Sequence, residues 1–184
     1  FRRLSLKTYP ENPESWSESL TPNEGVWVSY TGTGKVELDV INKASGNASI
    51  RHTTTVPDYY GRVAFVMAPG KEFNATRLNS MIHFIHALEK DRFNGYCVCT
   101  LVDANGERVW KEFGTVADQT WQLKEWTIGP NKGWSGSATF DWSRVKEILI
   151  DSLFGGVGTG SFWIDRPFFS YEQQLATLRI QSSP

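Results

Sequence analysis

Residues 95–113 read GYCVCTLVDANGERVWKEF and contain two strand-like runs around one turn. Residues 95–102 and 107–113 each alternate with a period of two, which is the spacing of side chains on a half-buried β-strand. The Asp-Ala-Asn-Gly segment between them, residues 103–106, is typical of a hairpin turn. This stretch therefore predicts an antiparallel β-hairpin within an all-β protein.

Similar alternation continues on both sides of the hairpin, between Gly, Asn, Asp and Pro residues that favour turns. The further predicted strands cover residues 25–29, 36–41, 47–56, 61–68, 79–88, 121–128, 147–151 and 160–169. Asp141 is expected to cap a short helical turn. About ten strands without an internal repeat predict a two-sheet antiparallel β-sandwich, or jelly roll.

Length and charge narrow the class of protein. The chain has 184 residues, 40% hydrophobic and 14% aromatic, which is enough for one well-formed core. Its net charge of −1 gives no reason to expect nucleic acid or an acidic membrane as a partner. No apolar run reaches the ~20 residues that a membrane-spanning helix needs.

We expect the sandwich over residues 14–171, an arm or linker over residues 1–13, and a tail or linker over residues 172–184.

The same alternation predicts which side chains lie between the two sheets. The residues expected in the core are Phe84, Leu101, Val109, Ile148, Phe162 and Ile164. Cys97 and Cys99 share the parity of Leu101, so both should point into the core. A disulfide between residues so close on one strand would be strained, and we expect two buried thiols.

Several segments resemble the galactose-binding-like β-jelly rolls. The likeness is clearest in the closing strands, with DWSRVKEI at residues 141–148, GSFWID at 160–165 and two Phe residues at 168–169. Upstream, SGNASI at residues 45–50 is similar to the start of an early strand of that fold. Trp121 is similar to a tryptophan that opens a later strand. Together these segments cover most of the chain between the two tails.

This resemblance implies a carbohydrate-binding module such as those of families four, eleven and twenty-two, which bind glycan chains in a cleft across one sheet. The expected function is non-catalytic binding of a polysaccharide, such as a β-glucan or xylan. The expected context is a larger secreted enzyme, with a covalently linked catalytic domain and an extracellular location. The alternative is a protein-interaction or adhesion domain, because one fold serves several functions.

A cleft for sugar rings needs flat aromatic side chains beside groups that form directional hydrogen bonds. Trp110 lies between two charged residues on the strand face opposite the core parity, which makes it a candidate for stacking on a sugar. Tyr96 should lie on the same sheet if the hairpin is tight. The predicted ligand-binding residues are His83, Tyr96, Arg108, Trp110, Glu112, Gln122, Lys124 and Trp126.

The parity of residues 121–128 is ambiguous. If Trp121 and Leu123 face the core, then Trp126 faces the cleft together with Gln122 and Lys124. Ile128, however, has the parity of Trp126. Either a bulge interrupts this strand or Trp126 itself belongs to the core.

A catalytic interpretation comes from residues 37–42, ELDVIN, which resemble the glutamate-x-aspartate-x-x-glutamate signature of laminarinase-type jelly-roll glycoside hydrolases. Glu37 and Asp39 would share one strand face. In that family the final glutamate is the general acid/base, and here Asn42 occupies its position and cannot transfer a proton. A hydrolase that uses Glu37 and Asp39 is therefore the less favoured alternative.

The resemblance also implies one structural calcium ion in many such modules, with an aspartate of the closing strand among its ligands. Asp165 matches that position. Calcium takes six to eight oxygen ligands, and the first residues of the chain show no acidic side chain where one is expected. The sequence thus leaves calcium open, with Asp165 as the candidate ligand, and predicts no catalytic cofactor.

Overall fold

The computed structural model describes residues 4–30, 34–54, 57, 60–155 and 158–174. In these ranges the backbone forms strands and no helix, hence no helix that could span a membrane. The strands are β1 (Leu4–Tyr9), β2 (Gly25–Ser29), β3 (Gly34–Asp39), β4 (Ser49–Thr54), β5 (Tyr60–Met67), β6 (Met81–Leu88), β7 (Phe93–Asp103), β8 (Arg108–Gly114), β9 (Gln122–Thr127), β10 (Ser135–Gly136), β11 (Val145–Phe154) and β12 (Gly160–Gln174).

The strands form two sheets with antiparallel pairing throughout. Sheet A has the order β3-β4-β12-β6-β9, and β1 also pairs with the long strand β12. Sheet B has the order β10-β8-β7-β11-β5-β2. Consecutive strands such as β11 and β12 lie in opposite sheets, as expected of a jelly roll. The predicted two-sheet antiparallel sandwich is confirmed.

The core lies between the sheets and contains the side chains that alternation predicted. All six predicted core residues are buried, and Cys97 and Cys99 are buried free thiols. Burial raises the pKa of the Cys97 thiol to about 11, so this thiol is protonated and unreactive near neutral pH. Trp16, from the segment between β1 and β2, is also fully buried, and its ring packs on Phe65 at a centroid distance of 4.3 Å.

The hairpin at residues 95–113 forms within sheet B, as predicted. Asp103 stabilises its turn: Oδ1 accepts hydrogen bonds from the backbone N–H groups of Asn105 (2.8 Å) and Glu107 (2.9 Å). Gly106 has a φ of 87°, a left-handed conformation that glycine adopts at little cost. The resulting register pairs Thr100 with Trp110. Trp110 is therefore held at a defined position on the sheet.

Both ends of the described chain differ from the sequence-based expectation. Residues 4–9, expected to lie in an arm, form β1 and pair with residues 169–174 of β12. They lack clear alternation because β1 is an edge strand with several exposed side chains. β12 itself extends into the predicted tail as far as Gln174, and residues 175–184 lie outside the described residues. The division into one domain and two tails otherwise stays a prediction.

The helical turn expected at Asp141 is a single non-helical turn. The carboxylate Oδ1 of Asp141 accepts hydrogen bonds from the backbone N–H (3.0 Å) and the hydroxyl (2.6 Å) of Ser143. This local capping satisfies the backbone without a helix. Strand β11 then begins at Val145, two residues before the predicted strand start.

Candidate functional site

The outer face of sheet B, which points away from the core, carries a shallow groove of about 400 Å³. Its lining combines aromatic, charged and small side chains. The residues that line it are Arg62, Tyr96, Val98, Thr100, Arg108, Trp110, Glu112, Leu149 and Asp151. Four of these, Tyr96, Arg108, Trp110 and Glu112, were predicted from sequence as ligand-binding residues. They come together because β7 and β8 form one hairpin.

Strand register arranges the lining in two rows across the sheet. One row runs from Trp110 on β8 through Thr100 and Leu149 to Ala64 on β5. The neighbouring row runs from Glu112 through Val98 and Asp151 to Arg62. Small and apolar residues thus form the floor of the groove, and polar or aromatic side chains stand on either side of it. An extended ligand can therefore lie across the strands.

Trp110 and Tyr96 are the exposed aromatic side chains of the groove, at 39% and 38% exposure. Trp16, Trp27 and Trp163 are buried, and the remaining four tryptophans are half-buried, so Trp110 is the exposed member of the eight. A tryptophan in a β-sandwich usually stabilises the fold through burial of its ring, and the exposed ring of Trp110 contributes less of this stabilisation. Such a ring is available to stack on a ligand.

Arg62 and Asp151 form a bidentate ion pair in the groove, which sequence reasoning missed. Arg62 donates through Nε and Nη2 to the two carboxylate oxygens of Asp151, with an Nη2–Oδ2 distance of 2.6 Å. The guanidinium also lies over the Tyr60 ring, 4.9 Å from its centroid. The hydrogen bond to Asp151 raises the pKa of Arg62, so the guanidinium stays charged. The contacts with Asp151 and Tyr60 therefore hold the charged guanidinium of Arg62 in the groove.

Alternation does place Arg62 and Asp151 on outer faces, since Val63 and Ile150 beside them point inward. The sequence does not show that β5 pairs with β11, because five other strands lie between them along the chain. Farther across the face, the Tyr30 hydroxyl donates to Glu147 Oε2 at 2.9 Å. Partial burial and this hydrogen bond raise the pKa of Tyr30. Tyr30 keeps its phenolic proton and lies outside the groove lining.

Four predicted site residues do not line this groove, because they lie in sheet A. Trp126 packs into the core, with ring centroids 5.6 Å from Phe84 and 5.4 Å from Phe113. Leu123, predicted to face the core, is 60% exposed. The register explains the reversal, because Lys124 pairs with the inward-facing Phe84 and so shares its face. Of the two alternatives for this strand, the core position of Trp126 is correct.

Gln122 and Lys124 lie on the same inner face of β9, at the open side of the sandwich. Lys124 Nζ donates to the Gly114 carbonyl of sheet B (2.5 Å) and to Gln122 Oε1 (3.2 Å). Partial burial lowers the pKa of Lys124. These contacts connect the edges of the two sheets and direct both side chains away from the groove.

His83 lies on the outer face of sheet A, opposite the groove. Its Nε2 is 2.7 Å from Ser170 Oγ, its Nδ1 is 3.3 Å from Glu125 Oε2, and its ring stacks on Phe168. Burial lowers the pKa of His83, against the opposing effect of Glu125. The prediction that His83 faces the same cleft as Trp110 is wrong, because β6 belongs to the other sheet.

Glu37 and Asp39 are both held in ion pairs with Arg51 on sheet A. Burial alone would raise the pKa of Asp39, but hydrogen bonds from Asn42, Trp163 and Ile41 outweigh it and lower that pKa. A general acid needs a raised pKa, so Asp39 is unsuited to protonate a leaving group. This arrangement argues against the hydrolase alternative.

Asp165 is buried on β12, and its carboxylate is only half satisfied. Oδ2 accepts hydrogen bonds from the backbone N–H groups of Ala44 (2.7 Å) and Ser45 (3.0 Å). Oδ1 is buried without a hydrogen-bond partner, which is costly and would suit a cation. Over the described ranges, no group of three or more His, Cys, Asp or Glu side chains could hold a metal. Calcium at Asp165 would thus need backbone carbonyls for most of its ligands.

Comparison with known proteins shows similarity in structure only. No protein-family model matches the chain, and no curated protein sequence is significantly similar to it. A family 30 carbohydrate-binding module superposes with a TM-score of 0.61 at 14% identity, over 88% of this chain and 86% of the module. The family 11 carbohydrate-binding module from Clostridium thermocellum, solved with a β-1,3-1,4-mixed-linked tetrasaccharide, gives 0.52 at 16% identity, over 78% and 87%.

An exo-β-agarase contains a similar unit, with a TM-score of 0.59 at 11% identity over 84% of this chain. The chain spans 23% of the length of that agarase. At these identities the likeness concerns the backbone and not the ligand. The chain therefore has the β-jelly-roll fold that these carbohydrate-binding modules share, as the resemblance in its sequence implied.

Proposed function

We propose that this protein binds a polysaccharide chain, such as a β-glucan or xylan, in the groove of sheet B and does not cleave it. The observation that carries the proposal is the exposure of Trp110 and Tyr96 beside the Arg62–Asp151 pair. A sugar ring has an apolar C–H face that stacks on an aromatic ring and a hydroxyl edge that bonds to charged groups. The groove offers both kinds of contact along one open surface.

Affinity electrophoresis against a panel of soluble polysaccharides tests this proposal. Wild-type protein should be retarded by at least one glycan, and Trp110→Ala should be retarded less by the same glycan. Leu123→Ala is a matched control, because it removes an exposed apolar side chain from the opposite sheet. Retardation by none of the polysaccharides would favour the alternative, a protein-interaction or adhesion domain on the same fold.

We further propose that the chain is a module of a larger secreted, extracellular enzyme with a covalently linked catalytic domain. The supporting observation is that the similar unit of the exo-β-agarase is about a quarter of a longer chain. A full-length gene that encodes a glycoside hydrolase domain next to this module would agree with the proposal. A gene that encodes this module beside adhesion domains would contradict it.

A structural calcium ion at Asp165 is also proposed. The buried, unpartnered Oδ1 supports it, and Glu14 lies at the same loop, since its carboxylate accepts a hydrogen bond from the Ser45 hydroxyl (3.1 Å). When bound, the ion would neutralise the buried Asp165 charge and connect β12 to the loop after β3. Its effect would be on stability, because Asp165 and the groove belong to different sheets.

A further inference from the structure

The Arg62–Asp151 pair lies too far from Trp110 to contact the same sugar ring. Asp151 is on β11 and Trp110 on β8, with β7 between them. Two strand spacings of about 4.8 Å separate them by roughly 10 Å across the sheet. A ring that stacks on Trp110 and a ring that contacts Asp151 are therefore different units of one chain that runs across the strands. A chain that extends past the ion pair on both sides would place an internal ring over it.

The pair retains hydrogen-bonding capacity that faces the groove. Arg62 uses Nε and Nη2 for Asp151, and Nη1 has no hydrogen-bond partner among the residues that the structure describes. Each oxygen of Asp151 accepts one of these bonds and keeps further lone pairs. The Arg62 side chain is 25% exposed and that of Asp151 is 8% exposed, so both reach the groove surface. A donor and an acceptor thus stand side by side in fixed positions.

Two hydroxyls on adjacent ring carbons complement such a pair, because one can donate to the carboxylate while its neighbour accepts from the guanidinium. An internal ring of a 1,4-linked chain keeps its hydroxyls at positions 2 and 3, which are adjacent. An internal ring of a 1,3-linked chain keeps positions 2 and 4, which are not adjacent. The linkage therefore decides whether the ring offers this pair of hydroxyls.

We propose that Arg62 and Asp151 bind a vicinal diol on an internal ring, so that the groove selects 1,4-linked chains over 1,3-linked chains. This inference rests on the proposed glycan-binding function and names the linkage class of its ligand. Trp110 contributes stacking to either class, whereas Arg62 and Asp151 determine specificity. The contact of Arg62 with Tyr60 keeps the guanidinium in position before a ligand arrives.

The test measures the affinity of each protein for two classes of soluble neutral polysaccharide. One class contains β-1,4-linked chains, namely xylan, glucan derivatives with free 2- and 3-hydroxyls, and galactan. The other class is a linear β-1,3-glucan. Wild-type protein should bind its best 1,4-linked chain at least about tenfold more tightly than the β-1,3-glucan. Loss of a hydrogen bond to a charged group accounts for a change of that size.

Asp151→Asn should reduce this preference to less than about threefold, because the amide can no longer form the ion pair or accept through both oxygens. Glu37→Gln is the matched control: it removes a carboxylate from an arginine pair on sheet A and should leave the preference unchanged. The ratio of two affinities measured on one protein does not depend on the fraction that is folded. Reduced stability of Asp151→Asn therefore does not obscure the result.

Equal wild-type affinity for the two classes would overturn this inference while the proposed glycan binding stands. An unchanged preference in Asp151→Asn would also overturn it. Failure of wild-type protein to bind any polysaccharide would refute the proposed function itself. A strong preference that Asp151→Asn abolishes and Glu37→Gln preserves would support the inference.

Discussion

Trp110→Ala is the most informative single change, because it separates a ligand-binding tryptophan from a core tryptophan. Loss of an aromatic stacking platform should weaken glycan binding by ~1–3 kcal/mol, by analogy with bases stacked on aromatic rings. This corresponds to a decrease in affinity of about 5-fold to 150-fold. Isothermal titration calorimetry with the best glycan of the panel measures it directly.

The effect of this change on stability should be small. Replacement of a fully buried aromatic residue by alanine costs about 3–5 kcal/mol. Trp110 is 39% exposed on an outer sheet face, so roughly 1–2 kcal/mol is expected for the contacts it does make, such as the close approach to Gly136. Urea unfolding monitored by circular dichroism measures this value.

Two results would refute the reasoning. A loss of about 3 kcal/mol or more in the free energy of unfolding would show that Trp110 acts as a core residue. Unchanged glycan affinity in a folded Trp110→Ala protein would place the binding site on another surface. Leu123→Ala should change neither quantity by more than ~0.5 kcal/mol, because it is a surface substitution outside the groove.

Three further predictions concern other parts of the sandwich. Trp126→Ala should reduce the free energy of unfolding by about 3 kcal/mol in urea unfolding, because Trp126 packs on Phe84 and Phe113. The folded fraction of this variant should keep its affinity for the glycan. Burial lowers the pKa of His86 to about 3, so the unfolded chain binds one proton more than the folded chain between about pH 6.5 and 3. Stability should therefore fall by up to ~1.4 kcal/mol per unit as the pH drops through that window, and His86→Gln should lack this contribution in pH-dependent unfolding curves. A calcium concentration of about 100 times the dissociation constant should raise Tm by about 5–10 °C in a calorimetric scan. Chelation of the calcium should reverse this increase, and Asp165→Asn should abolish it. An unchanged Tm would refute calcium binding at Asp165.

The hairpin at residues 95–113 was predictable because its information is local. A period of two and an Asp-Ala-Asn-Gly turn specify which side chains of two adjacent strands share a face. That reasoning correctly placed Tyr96 and Trp110 on one outer face of one sheet. Their role in ligand binding stays a proposal that the variants above test.

The strand β9 shows where local reasoning failed. Leu123 was predicted to face the core and is exposed, whereas Trp126, named as a ligand-binding residue with a core position as the alternative, packs into the core. Polar and apolar residues alternate poorly there, because Lys124 lies at the open side of the sandwich and satisfies its charge at the Gly114 carbonyl. An inward-facing lysine with a carbonyl partner cannot be distinguished from a solvated one by its sequence neighbours.

The sequence by itself determined the all-β class, most strand positions, the buried core and the exposure of Trp110, because side-chain alternation is a property of each strand alone. Only the tertiary structure decided which strands became neighbours. It separated His83 from Trp110 by placing β6 and β8 in opposite sheets, and it brought Arg62 beside Asp151 by pairing β5 with β11. Strand pairing joins residues that lie far apart along the chain, and it depends on how two whole sheets bury their apolar faces against each other.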